Sequence, residues 1–206
     1  MTFPVTLGDD GFMSLVKADR STPERASPTR FYHINVENLN REASLAHNVR
    51  VYVTRIEVFG ESSGYESIPG IGYVPLLWRH EPDFRNILGQ TNFSIGSPLQ
   101  CTLCAIVKNN PETGKSELKL YQWFTPNTQT PLGERRYPWN SAIKLRIATV
   151  ARSDETESEE CQFIVTWDGE WADEPNEMAQ HLKVEMLGSS HSVKGLTKLV
   201  LLSILF

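Results

Sequence analysis

The sequence predicts an all-β protein, an antiparallel sandwich of two sheets with a few short helical turns. Three observations predict it. Apolar residues recur with a period of two in at least six separate runs, β-branched and aromatic residues crowd those runs, and turn-forming residues separate them. Side chains alternate between the two faces of a strand, so period-two apolarity marks a strand with one face buried. Parallel strands need crossovers of helical length, and no convincing amphipathic stretch of a dozen residues separates the runs.

Taken in order, Phe12 to Lys17 reads as an edge strand within residues 1–30, a segment otherwise rich in Pro, Ser and Thr. Tyr32, Ile34 and Val36 then alternate with polar positions, which puts His33 on the surface face. Val49, Val51 and Val53 repeat the pattern, but the apolar set moves to Ile56 and Val58, the opposite parity. A slip of one residue exchanges the faces of a strand, so the sequence predicts a bulge near Thr54 or Arg55. Leu99, Cys101, Leu103, Ala105 and Val107 form the next apolar face, followed by a hairpin loop over residues 109–115 and a strand holding Leu118 and Leu120. Ile143, Leu145 and Ile147 follow, then Cys161, Phe163, Val165 and Trp167, then Leu182, Val184 and Met186. The acidic run from Asp154 to Glu160 reads as a solvated hairpin tip, with a docking surface for a basic partner as the sharper alternative. Short helical turns are expected at 82–88 and 175–180. The sandwich is therefore drawn over residues 31–187. Residues 188–206 form an apolar C-terminal tail, read as a final strand, a segment docked on a partner, or a terminus foreign to the fold.

Composition narrows the function classes. Of 206 residues 40% are hydrophobic and 22% charged, enough apolar surface to exclude wholesale disorder. A net charge of −5 argues against nucleic acid as a partner, because phosphate binding needs a basic face. The apolar end spans only a dozen residues, whereas a helix needs about 20 to cross a bilayer, so no transmembrane segment is expected. Residues 1–15 lack a basic start and a continuous apolar run, and three cysteines suit a reducing compartment, so the expected location is cytoplasmic.

The stretch Tyr32-His33-Ile34-Asn35-Val36-Glu37-Asn38, followed by Ala46-His47-Asn48-Val49-Arg50-Val51, resembles the bacterial immunoglobulin-like domains of the cell-adhesion-related (CARDB-type) group. In that group a strand ending in Val-x-Asn precedes a loop, then Ala-x-Asn-Val and the next strand. The resemblance implies an immunoglobulin-like form of the sandwich, centred on a hairpin from Tyr32 to Val53.

Few constellations carry chemistry. Cys101 and Cys104 have CxxC spacing, but no second pair completes a zinc set, and residues three apart on a regular strand face opposite ways. His80-Glu81-Pro82-Asp83 lacks the second histidine of a metalloprotease helix, and Pro82 would break that helix. The remaining candidate is Trp167, Asp168, Glu170 and Trp171. It reads as a calcium loop, as a carbohydrate platform of indoles and carboxylates, or as a strand ending in a buried Trp167, with an Asp-Gly turn and a covering Trp171. No catalytic set, metal site or cofactor is expected. The function expected is a non-enzymatic interaction module that binds a protein partner; the alternative is a carbohydrate or small-ligand binding domain using Trp167, Trp171 and the neighbouring acids.

Overall fold

The structure, a computed structural model, describes residues 5–7, 12–17, 26–36, 45–69, 71–76, 78, 91–94, 99–109, 114–120, 138–154 and 157–187. It is mostly β and antiparallel throughout, with one short helix. One sheet contains β1 (Val5–Leu7), β2 (Phe12–Lys17), β3 (Ala26–Val36), β8 (Leu99–Val107), β9 (Glu117–Leu120) and β10 (Pro138–Trp139). Its order is β1-β3-β8-β9-β10, with β2 on the same edge of β3 as β1. The other contains β4 (Leu45–Gly60), β5 (Gly64–Ser67), β6 (Val74–Pro75), β7 (Thr91–Ser94), β11 (Ile143–Arg152), β12 (Cys161–Trp167) and β13 (Leu182–Leu187). Here the order is β13-β12-β11-β4-β5, and β6 and β7 also pair with the long β4.

The inner faces of the two sheets share one core. Ile34, Val36, Cys101, Leu103, Ile106 and Leu118 come from the six-stranded sheet; Val51, Ile56, Leu145, Ile147, Phe163 and Val165 come from the seven-stranded one. Burying such a set supplies the main driving force for folding, at about 25 cal/mol per Å² of apolar surface. The edge strand expected at Phe12–Lys17 forms as β2, and the helix expected at 175–180 forms as α1 (Pro175–His181). The helical turn expected at 82–88, the His80–Asp83 stretch and the tail 188–206 lie outside the described residues.

Bulges decide which side chains face inward. Arg55 pairs with Ala148 and Val53 with Thr149, so Thr54 is the extra residue in β4, as the change of apolar parity predicts. A second bulge is silent in the sequence. Tyr32 pairs with Cys104 and His33 with Thr102, which leaves Leu103 as the extra residue in β8. Cys101 and Cys104 therefore face the same core, against the expectation for a regular strand, and both are fully buried. Burial pushes the Cys101 thiol far above its ordinary value.

Two further expectations are corrected. Tyr32 to Val53 is not a hairpin: β3 and β4 lie in different sheets, so the chain crosses from one sheet to the other between them. His33 is not a surface residue. It is 3% exposed, its Nδ1 lies 3.2 Å from the Thr102 hydroxyl, and its ring stacks parallel to Phe31. Thr29, Thr102, Ala105 and Glu117 are buried with it on the outer side of the six-stranded sheet, so the middle of that sheet is covered on both faces.

Candidate functional site

Trp167 ends β12 with its side chain pointing inward, next to Leu182 on β13 and Ile143 on β11. It is 1% exposed and belongs to the core, and its indole N–H donates to the Glu170 carbonyl at 2.8 Å. The chain then turns sharply. Asp168 Oδ1 accepts from the Glu170 N–H at 2.9 Å, and Gly169 sits at φ +98°. A side chain at Gly169 would also press on the Ala142 backbone nitrogen at 3.1 Å, so glycine is required on both counts. Asp168 Oδ2 lies 2.8 Å from His181 Nδ1, which ties the turn to the end of α1. Burial pushes the Asp168 carboxyl up, but the hydrogen bonds from His181 and Glu170 outweigh it and hold the group below its ordinary value.

Trp171 is the next anchor. Its half-buried ring meets the Arg30 guanidinium at 5.7 Å and the Lys108 ammonium at 5.8 Å. Arg30 and Lys108 occupy the inward parity of β3 and the end of β8, so Trp171 closes the interior between the sheets through two cations. Asp173 fastens this closure. Its carboxylate accepts from Lys108 Nζ at 2.8 Å and from the Trp171 indole at 2.9 Å, and its carbonyl accepts from Arg30 Nη2. Those hydrogen bonds, from Lys108 first and Trp171 second, hold the Asp173 carboxyl below its ordinary value.

The structure thus separates the four residues singled out in the sequence. Trp167 and Asp168 hold the turn. Glu170 and Trp171 line a surface depression of about 380 Å³ together with Lys108, Asn109, Lys115 and Ser116 of the β8–β9 hairpin and Asn140 of the β10–β11 link. The two indoles make no shared platform, because Trp167 is enclosed in the core. The carboxylates of Asp168 and Asp173 are occupied by protein donors, and among the described residues no group of three acids, histidines or cysteines is placed to hold a metal ion.

A second surface lies on the outer face of the seven-stranded sheet, where aromatic, basic and acidic side chains gather around the buried Ala148 and Val150. Phe59 pairs with Tyr65 across the β4–β5 hairpin, and the two rings meet edge to face at 5.3 Å. Lys144 Nζ lies 5.3 Å above Phe59, and the Arg146 guanidinium lies 4.2 Å above Tyr65. At the other end of the face, Tyr52 meets Tyr73 edge to face at 6.0 Å and Arg152 covers Tyr73 at 4.0 Å. Glu57 sits between the two groups, bonded to Arg146 at 2.5 Å and paired with Arg55 at 3.5 Å. The Arg146 bond, reinforced by Arg55, holds its carboxyl below the ordinary value. Phe59 and Tyr73 remain 41% and 46% exposed.

The acidic run after β11 serves this face from within. Glu160 pairs with Arg55 at 2.9 Å, Glu157 pairs with Arg152, and Asp154 accepts from Asn48 at 2.5 Å. Sequence reading passed over the aromatic face because its members come from four separate segments. The one local signal was the alternation of Lys144 and Arg146 with Ile143, Leu145 and Ile147. No known protein family, curated protein or solved structure matches this chain.

Proposed function

We propose that the chain is a non-enzymatic interaction module that binds a protein partner through the outer face of its seven-stranded sheet. The observation that carries this reading is the group of exposed rings and cations on that face. Phe59 and Tyr73 are 41% and 46% exposed there, beside Tyr65 and Tyr52 and among Lys144, Arg146 and Arg152. Aromatic residues and arginine are the residue types enriched where proteins bind one another, and their cation contacts hold the rings in place before binding. Rigid rings lose little conformational freedom on docking. Basic and acidic side chains interleave on this face, so the matching partner presents an apolar centre rather than a strongly charged one.

The immunoglobulin-like form of the fold and the kinship with the cell-adhesion-related group belong to the same proposal. Two antiparallel sheets around one core support it, and so does the Ala46-His47-Asn48-Val49 stretch, which forms a bulge in β4. There Ala46 and Val49 are buried and Asn48 takes a left-handed conformation at φ +53°. A reducing, cytoplasmic setting is also proposed, supported by three cysteines outside any disulfide. No helix among the described residues is long and apolar enough to cross a membrane.

Photo-crosslinking in the native cell tests the assignment. A photoreactive phenylalanine analogue at position 59 or 73 should capture one and the same protein, and the analogue at exposed Asn176 on α1 should not. Capture at Asn176 alone, or two unrelated sets of products from positions 59 and 73, would reject the sheet face as the interface.

A further inference from the structure

We infer that the depression beside Trp171 is a binding subsite for a neutral sugar ring, a function separate from the partner-binding face. Its volume of about 380 Å³ lies at the small end of the range in which proteins hold ligands. The chemistry of its wall selects the class. Asn109, Asn140 and Ser116 each offer both donors and acceptors, Lys115 donates and Glu170 accepts. A sugar hydroxyl also donates and accepts at once, so a ring carrying several of them can satisfy this mixed set.

Charge and shape agree with that choice. Lys108 is matched by Asp173 at 2.8 Å, and Glu170 offsets Lys115, so the charges around the depression balance and favour a ligand without net charge. The half-buried Trp171 supplies the apolar element that packs against the carbon face of a sugar. Its ring is held by Arg30, Lys108 and Asp173 before any ligand arrives. Gly169 leaves the backbone bare at the rim. The wall is assembled from three separate connections, β8–β9, β10–β11 and the turn after β12, all fastened at one end of the two sheets.

Titration of the isotope-labelled full chain, followed by amide resonances, tests this directly. The probes are glucose, galactose, maltose and cellobiose at millimolar concentrations, with inorganic phosphate as the anion arm. At least one sugar should shift the amides of Lys115, Asn140 and Glu170, and phosphate should not. Asn140→Ala and Glu170→Ala alter exposed positions that bear no part of the core. Each should weaken that sugar roughly three- to tenfold, the loss expected for one hydrogen bond. Shifts with phosphate but with no sugar, no shifts at all, or sugar binding unchanged in both variants would overturn the inference.

Discussion

Replacing Trp171 with alanine should loosen the end at which the two sheets are closed, and the size of the effect follows from its contacts. A fully enclosed large aromatic ring buries about 150–250 Å². Trp171 is half-buried, so roughly 100 Å² of contact is lost, worth about 2.5 kcal/mol at 25 cal/mol per Å². The contacts with Arg30 at 5.7 Å and Lys108 at 5.8 Å are lost as well. Such contacts contribute about 0.5–1 kcal/mol each, and more where the cation is desolvated, as Arg30 is at 1% exposure. Relaxation of the unfolded chain and of the loop recovers part of the sum, which leaves a loss of about 3 kcal/mol. Trp171→Phe keeps a ring against the cations and removes only the bond to Asp173 and some area, so its loss should be about 1 kcal/mol. Urea unfolding followed by circular dichroism measures both. The alanine variant should shift the midpoint down by about 1–2 M. A loss below about 1 kcal/mol for Trp171→Ala would refute the closure, since area alone predicts more than that.

Two further predictions concern groups on either side of the core. Cys101 and Cys104 should resist a thiol reagent at mildly alkaline pH in the folded protein and react fully in denaturant; Cys161, with its thiol pushed up to about 11, should react slowly. Rapid native-state labelling of Cys101 or Cys104 would show that the Leu103 bulge does not turn both thiols inward. Glu57 tests the ion pairs of the outer face by pH. Its folded-state carboxyl lies below its ordinary value of 4.5, so the stability it contributes is present above that value and is lost as pH falls through the folded one. Glu57→Gln should cost roughly 1 kcal/mol at neutral pH and flatten the acid side of the stability profile. An acid limb as steep as that of the parent protein would remove Glu57 from the account.

Most of the strand pattern was legible in the sequence because one face of each strand is buried against the shared core. The alternation of Ile143, Leu145 and Ile147 survives intact in β11, and the parity change after Val53 located a real bulge at Thr54. The bulge at Leu103 left no such trace. Leu99 to Val107 is apolar or small at nearly every position, because β8 is buried on both faces, and a parity change cannot show where both parities are apolar. His33 departs from its expected surface position for the same reason: alternation implies a solvated outer face, and at His33 that face is covered. At the site, Trp167 and the Asp168-Gly169 turn follow from local chemistry alone. The partners of Trp171 do not. Arg30 and Lys108 approach it from β3 and β8, and Asn140 shares its depression from the β10–β11 link, juxtapositions that only the pairing of distant strands creates.

We propose that the exposed aromatic face of the seven-stranded sheet is where a protein partner docks. The most direct test is the affinity of the photo-crosslinked partner, purified and titrated by calorimetry against the parent chain and the Phe59→Ala, Tyr73→Ala double variant. Both side chains are more than half covered and touch neighbouring rings and cations, so the double variant should lose stability, and it is titrated at a temperature where circular dichroism shows it fully folded. Affinity should fall at least about tenfold, the loss expected when central aromatic anchors are truncated. An affinity within about twofold of the parent value would contradict the claim.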